Sequence, residues 1–185
     1  MTELEMLIHN INSEITALNA ELLSVKERYS ETIKNGLVSH ILKLLSELED
    51  AVEFVMWTQY TPYFNDGDEC YFRVGELEVK LVGVSEQEVM DISIESLMKD
   101  KEYYTTGNGS KSVYAPQMLA HIAEYEQLYE RIGSDKYAQL QYTISEIQKL
   151  VSMADEEIMK TAFGDHVSVT IYSNGNWCVE DYEHD

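Results

Sequence analysis

The N-terminal stretch carries the pattern that most restricts how this chain can fold. Apolar side chains recur there at alternating steps of four and three residues, which places a continuous stripe along one helix face, as in a coiled coil. Thr2 and Glu5 form a Thr-x-x-Glu capping box at the start of the same helix. We call the stripe the N-terminal seam; it consists of Leu4, Ile8, Ile11, Ile15, Leu18, Leu22, Val25 and Tyr29.

A stripe of this length needs a surface that covers it. It can pack against other helices of the same chain, as in a monomeric bundle, or against a second copy of itself. Because the seam is regular and rich in isoleucine, the sequence favours self-association through the N-terminal helix.

The next segment leaves two architectures open. Asn35-Gly36 has the chemistry of a helix C-cap followed by a turn. If Gly36 ends the first helix, residues 37–58 form the second helix of an antiparallel hairpin; if it does not, the two helices merge into one rod. Helical spacing over residues 37–58 is indicated by Ile41, Leu45, Leu48, Val52 and Val55.

Residues 57–72 mark the change from helical to extended patterns. Pro62 disfavours helix at the preceding residue, and Asn65-Asp66-Gly67 is turn chemistry. The segment carries too much aromatic area to leave in water, so we expect it to fold back as an apolar plug between the helices and a sheet. Its candidate binding residues are Trp57, Tyr60, Tyr63 and Asp66, and Phe64 belongs to the same plug.

This aromatic segment also resembles a known motif. Residues 59–67 read Gln-Tyr-Thr-Pro-Tyr-Phe-Asn-Asp-Gly, with Trp57 before them and Cys70 and Phe72 after them. The run is similar to a motif in a family of largely uncharacterised proteins of tailed bacteriophages. The resemblance implies a phage origin and a location in the host cytoplasm, and it implies no particular chemistry.

The extended segments predict a small sheet. Cys70–Val74 and Leu77–Val84 flank Gly75-Glu76, a two-residue connection typical of a β-hairpin. A second hairpin is predicted from Val167–Tyr172 and Trp177–Tyr182. Neither hairpin is stable alone, so we expect one antiparallel sheet of about four strands covered by helices.

Two further long helices and one loop complete the predicted order. The third helix covers residues 116–132, and the fourth runs from Ser134 to Gly164. Residues 101–114 are rich in Gly, Ser, Thr and Tyr, which is typical of a mobile loop. Because tyrosines beside adaptable polar residues suit a binding surface, the candidate binding residues here are Tyr103, Tyr104 and Tyr114.

The charge excludes some classes of function. The chain has a formal net charge of -21 with 13 basic residues, which argues against binding to nucleic acid or to an anionic membrane. The acidic surface either keeps the protein soluble or imitates the phosphates of DNA toward a basic protein. The acidic first residues do not resemble a signal peptide, no apolar run has membrane-spanning length, and Cys70 and Cys178 are expected to be reduced.

One catalytic pattern stands out. Asp66 or Asp68, followed by Glu78-Val79-Lys80, matches the Asp…Glu-x-Lys arrangement of nucleases, whose carboxylates hold Mg²⁺ and whose lysine steadies the attacking water. Alternating charges also occur on the solvent face of most hairpins, and an acidic surface repels a nucleic-acid substrate. The histidines are scattered without metal-ligand spacing, so we predict no metal site and no cofactor.

These observations predict an α+β fold with long heptad-patterned helices packed on the small sheet. Residues 1–58 are expected to be an N-terminal helical or coiled-coil segment, and residues 59–185 an α+β domain whose core continues into 37–58. The favoured function is a non-enzymatic, acidic phage accessory protein that binds a host protein and inhibits or redirects it, with antiviral defence as one target. The alternatives are a Mg²⁺-dependent nuclease with Asp68, Glu78 and Lys80 at its centre, and a phage structural or assembly protein.

Overall fold

A computed structural model describes residues 3–64, 67–85 and 93–183 of the chain. The fold is α+β, as the sequence predicts: helices pack against a small antiparallel sheet. In chain order the elements are α1 (Glu3–Leu45), β1 (Val52–Tyr60), β2 (Arg73–Val74), β3 (Glu78–Leu81), α2 (Ile94–Thr105), a 3-10 turn (Asn108–Lys111), α3 (Ala115–Ile132), α4 (Ser134–Met153), α5 (Glu156–Phe163), β4 (Val167–Tyr172) and β5 (Trp177–Asp181).

The first helix, α1, continues through the predicted break. It has 43 residues, which corresponds to a length of about 65 Å at 1.5 Å per residue. Asn35-Gly36 does not end it, because Gly36 lacks the positive φ that a C-terminal glycine cap requires. The predicted helical hairpin is therefore wrong, and the alternative of one continuous rod is correct as far as Leu45.

The two parts of α1 differ in what covers them. Every side chain from Ile8 to Tyr29 is exposed. Ser30 is the first half-buried residue, and its hydroxyl donates a 2.6 Å hydrogen bond to the backbone carbonyl of Thr161 in α5. From Ile33 onward the helix packs on the core. We call residues 3–29 the stalk and the described residues from Ser30 onward the head.

β1 occupies residues for which the sequence predicts the end of a second helix. The segment is rich in β-branched and aromatic side chains, which favour strands. A β-bulge between Val52 and Phe54 shifts the alternation, so Val52 and Val55 are both buried. Their spacing of three residues imitates a helical pattern, and the predicted helix over 37–58 is wrong beyond Leu45.

β1 is the central strand of the sheet. It pairs antiparallel with β4 on one side, and it also pairs antiparallel with both β2 and β3. β5 pairs with β4 and completes the order β2-β1-β4-β5. The predicted C-terminal hairpin is therefore confirmed.

β2 and β3 do not form the hairpin predicted at Gly75-Glu76. β2 pairs with the end of β1, and β3 pairs with its start. Residues 73–81 therefore lie antiparallel beside β1 as one interrupted strand. The Gly75 amide donates a 2.7 Å hydrogen bond to the Thr58 carbonyl, and a Cβ on Gly75 would lie 2.8 Å from Thr58 Oγ1. Glycine is needed here for this close approach, not for a turn. The predicted strand Cys70–Val74 is also shortened, since it begins at Arg73.

The predicted fourth helix over 134–164 is divided into α4 and α5. Asp155 separates them, because its carboxylate accepts hydrogen bonds from the backbone amides of Glu157 and Ile158 at 3.0 and 3.2 Å. Such an acceptor satisfies the free amides at a helix start. The third predicted helix agrees with α3 to within one residue.

Residues 101–114 contain regular structure where the sequence predicts a mobile loop. They include the end of α2, the 3-10 turn and the residue before α3. A Cβ on Gly109 would lie 2.3 Å from the ring of Tyr103 and 2.9 Å from that of Tyr104. The glycine-rich composition therefore serves the tight packing of a turn against two tyrosines.

The core lies inside the head, between the sheet and the helices. The sequence predicts a boundary between two segments after residue 58. β1 continues through this boundary, and residues on both sides of it are buried. The apolar stripe predicted for the fourth helix faces this core. Its buried members are Tyr137, Leu140, Ile144, Ile147 and Val151.

Two glycine substitutions test this fold. Gly36→Ala should raise the free energy of unfolding by about 0.5–1 kcal/mol, because alanine is the better helix former and a Cβ on Gly36 meets nothing within 4 Å. Gly75→Ala should lower it by about 1–3 kcal/mol, because the new methyl group overlaps Thr58. Urea denaturation followed by circular dichroism measures both changes.

Gly133→Ala is the control for the sign of the first change. Gly133 also has open space around its Cβ position but has a φ of +81°, so alanine should destabilise the protein there. A destabilising Gly36→Ala substitution would indicate that α1 ends near residue 36.

Candidate functional site

The largest unpaired apolar feature of the described chain is the N-terminal seam. From Ile8 to Tyr29 its members are between 45% and 64% exposed, although residues of these types are usually buried. A helix in water that packs on nothing is only marginally stable. The seam from Ile8 to Tyr29 is therefore an apolar helix face that is largely exposed in a single chain.

The total surface area agrees with a stalk that projects from the head. The chain exposes 12094 Å², whereas a compact monomer of 21.3 kDa exposes about 9,100 Å². The excess of about 3,000 Å² reflects a helix with solvent around it. The molecule thus has two parts with different surfaces, a helical stalk with an apolar stripe and an α+β head.

The aromatic motif lies at the end of β1, where it fastens the strand to α5. Trp57 is fully buried, packs edge-on against Phe163 with ring centroids 5.5 Å apart, and donates from Nε1 to the side-chain oxygen of Gln59 at 3.2 Å. The Gln59 amide nitrogen in turn donates to the carbonyls of Met159 and Gly164 at 3.1 and 2.6 Å. The buried glutamine therefore joins the sheet to the last turn of α5.

Asp165 continues this junction with a charged cluster. Its two carboxylate oxygens accept hydrogen bonds from the Thr61 amide at 2.7 Å and the Thr61 hydroxyl at 2.8 Å, and Lys160 Nζ lies 2.7 Å from Oδ2. Burial opposes ionisation, but the hydrogen bonds from Lys160 and Thr61 outweigh it and lower the pKa of Asp165 to about 2. The carboxylate is thus held ionised in one geometry.

The rest of the predicted plug is mostly on the surface. Tyr63 stacks on His166 with ring centroids 4.6 Å apart, yet Tyr63 and Phe64 are 68% and 75% exposed. Tyr60 is half-buried and packs against Tyr182. The plug is therefore correct for Trp57 and wrong for Tyr63 and Phe64, because β1 continues to Tyr60 and carries the following residues past the core. Asp66 lies outside the described residues.

The residues of the nuclease pattern lie on two segments of the chain. Glu78 and Lys80 are two residues apart on β3, while Asp68 is exposed in the segment before β2. Lys80 Nζ donates to the carbonyls of Val84 and Ser85 at 2.7 and 3.1 Å. Within the described ranges no hydrogen bond or ion pair joins Asp68, Glu78 and Lys80 to one another, and no group of three or more His, Cys, Asp or Glu residues is arranged to hold a metal ion.

Tyr103, Tyr104 and Tyr114 do not form one continuous ring cluster. Tyr103 and Tyr104 meet edge to face at 5.0 Å above the 3-10 turn, and Tyr104 packs against the core. Tyr114 is exposed at the residue before α3. Tyr103 and Tyr114 are thus available to a partner, whereas Tyr104 has a structural contact.

A third polar cluster, which no motif in the sequence indicates, joins the segment after β3 to α3. The Ser85 amide and hydroxyl donate to Glu124 Oε2 at 2.7 and 2.8 Å, and these hydrogen bonds lower the pKa of Glu124. His121 Nδ1 lies 3.8 Å from the same oxygen. A nucleophilic triad needs the histidine between the serine and the acid. Here the glutamate lies between them, so the cluster fastens a loop and does not activate Ser85.

Comparison with protein-family models, with curated proteins and with solved structures gives no match. Among the described helices, none is both long enough and apolar enough to cross a membrane.

The Asp165 cluster predicts a pH-dependent contribution to stability. An aspartate in an unfolded chain has a pKa of about 3.9, and that of Asp165 is lower, so its ionised form stabilises the fold above pH 4 and the contribution is lost as the pH falls toward 2. Asp165→Asn should lower the free energy of unfolding by about 1–2 kcal/mol at pH 7. Urea denaturation at several pH values should show this difference shrinking below pH 4.

Asp68→Asn is the matched control, since Asp68 is exposed and should contribute less than about 0.5 kcal/mol. A difference between wild type and Asp165→Asn that stays constant from pH 7 to pH 2 would contradict the role of the carboxylate.

Proposed function

We propose that this chain is a self-associating, non-enzymatic binding protein, in which the stalk joins copies and the acidic head binds another protein. The observation that carries the proposal is the N-terminal seam, an apolar stripe that is exposed along α1 from Ile8 to Tyr29. No catalytic arrangement among the described residues competes with this interpretation.

The seam is large enough to support an interface. If each of its apolar side chains loses about 80 Å² of exposed surface, two copies together bury about 1,300 Å². Specific protein interfaces bury about 1,200–2,000 Å². Pairing also removes the cost of leaving the stripe in water and stabilises a stalk that would otherwise be a marginal helix.

The charge supports a basic protein surface as the partner of the head. The first 29 residues carry five acidic and two basic side chains, so most of the net charge of -21 belongs to the rest of the chain. Such a surface attracts basic patches over several ångströms and repels nucleic acid. Two or more heads on one assembly would also raise the effective affinity for a partner with repeated sites.

The resemblance of residues 57–72 to phage proteins adds a biological setting to the proposal. It supports a phage accessory protein that acts in the host cytoplasm by binding and inhibiting or redirecting a host factor, with a component of antiviral defence as one candidate. The contacts of Trp57 and Gln59 support a structural role for this motif, since both are buried in the junction with α5.

Two other functions are less well supported. A nuclease would need Asp68, Glu78 and Lys80 to share one site, but the Lys80 amine donates to backbone carbonyls. A phage structural or assembly protein would use the same seam. It would differ in forming a large defined oligomer that mass spectrometry detects in purified particles.

Self-association is tested by placing a charge in the seam. Ile15→Glu should weaken the assembly about a hundredfold or more, because two isoleucines lose a burial worth about 1.5–3 kcal/mol each. Ser13→Glu, two residues away and about half a turn round the helix, lies on the outer face; it is the matched control and should leave assembly unchanged. Sedimentation equilibrium measures both. A wild-type chain that stays monomeric at high micromolar concentration would contradict the proposal.

Partner binding by the head is tested separately. Immobilised wild-type protein and Ile15→Glu should both capture a basic protein from host lysate at low salt, with wild type retaining it longer because of avidity. Capture should fall steeply between 50 and 500 mM NaCl. Turnover of DNA with Mg²⁺ that is lost in Glu78→Ala would instead support the nuclease.

A further inference from the structure

We infer that two copies of the chain pair along the N-terminal seam in antiparallel orientation, so that the start of each α1 meets the groove between α1 and α5 of the other copy. The inference rests on the self-association proposed above and adds the orientation, the register and a second contact surface. Three features of the chain favour it: the heptad positions of the seam, the groove at its end and the charge of the heads.

The heptad positions disfavour a parallel pair. The step pattern places Ile8, Ile15, Leu22 and Tyr29 at a, and Leu4, Ile11, Leu18 and Val25 at d. Parallel two-stranded coiled coils prefer β-branched residues at a and leucine at d. Ile11 and Val25 break this rule at d, and Leu22 and Tyr29 break it at a.

An antiparallel pair removes this conflict, because each a position then faces a d position of the other copy. The register of full overlap pairs Ile15 with Leu18, Ile11 with Leu22 and Ile8 with Val25. Two of these layers combine isoleucine with leucine, and the third combines isoleucine with valine. The same register brings position 4 of one copy opposite Tyr29 of the other.

The structure places an apolar groove at this end of the seam. It has a volume of about 230 Å³ and lies between α1 and α5, where the stalk joins the head. Its apolar walls are Tyr29, Ile33 and Ile158, and Lys26 lies on the same side of α1. Tyr29 belongs to both the seam and the groove, so the two surfaces are continuous. In this register, the first turn of α1 of the second copy lies in the groove.

The charge of the heads favours the same orientation. In a parallel pair the two acidic heads would lie side by side at one end of the coiled coil. In the antiparallel pair the junctions at Ser30 are separated by about 40 Å of helix, which is several times the Debye length of about 8 Å at physiological salt. The antiparallel pair therefore avoids most of the repulsion.

A charge reversal at Glu21 separates the two orientations. Glu14 and Glu21 occupy g positions. In the antiparallel register Glu14 faces Glu21 of the other copy, whereas in a parallel pair Glu21 faces Lys26. Glu21→Lys should thus tighten an antiparallel dimer about fivefold, by turning two repulsions into attractions, and should weaken a parallel one. Sedimentation equilibrium at low salt measures the change.

Disulfide trapping tests the register. In a background with Cys70→Ser and Cys178→Ser, a mixture of Ile8→Cys and Val25→Cys chains carrying different tags should form the mixed disulfide. Ile8→Cys alone should not cross-link, because positions 8 of the two copies lie about 26 Å apart in this register. Cross-linking of Ile8→Cys alone, together with a weaker Glu21→Lys dimer, would establish a parallel pair and overturn the inference.

The groove is tested on its own. Ile158→Gln should weaken the dimer several-fold, and Glu156→Gln, which lies on α5 outside the groove, should not. Circular dichroism checks that both variants keep the wild-type helix content. An antiparallel dimer that is unaffected by Ile158→Gln would overturn the groove contact, while a monomeric wild type would contradict the proposed function as well.

Discussion

The pairing of β1 with strands on both of its edges is the constraint on which the rest of the head depends. β1 pairs with β4 on one side and with the interrupted strand of residues 73–81 on the other. Its buried side chains reach the core, and Gln59 at its end is held by two carbonyls of the α5 end. Since helices and strands from both ends of the chain meet at this strand, its position decides theirs.

The stalk and the head differ in how they expose apolar side chains. The head buries its own apolar residues and carries most of the net negative charge. The stalk has a similar proportion of charged residues, but its apolar stripe is exposed from Ile8 to Tyr29. The proposed assembly of projecting heads rests on this exposed stripe, because the head offers no apolar stripe of comparable length among its described residues.

The aromatic motif has a different part in the structure from the one its composition suggests. Trp57 and Gln59 lie inside and fix the sheet to α5, and Thr61 holds the Asp165 carboxylate. Tyr63 and Phe64 then emerge onto the surface. Among its described residues, a run that reads as one unit in the sequence is thus divided by β1 into a buried anchor and an exposed patch.

The sequence by itself determined the α+β class, the seam, α3 and the C-terminal hairpin, because each of these depends on a local periodicity or on turn residues. It also determined the charge, which is a sum over residues. Only the tertiary structure decided that Val52 and Val55 belong to a bulged strand, that Gly75 permits close approach to Thr58, and that Gly36 lies inside a helix. In each of these cases the same local pattern fits two conformations, and contacts with residues distant in sequence select between them.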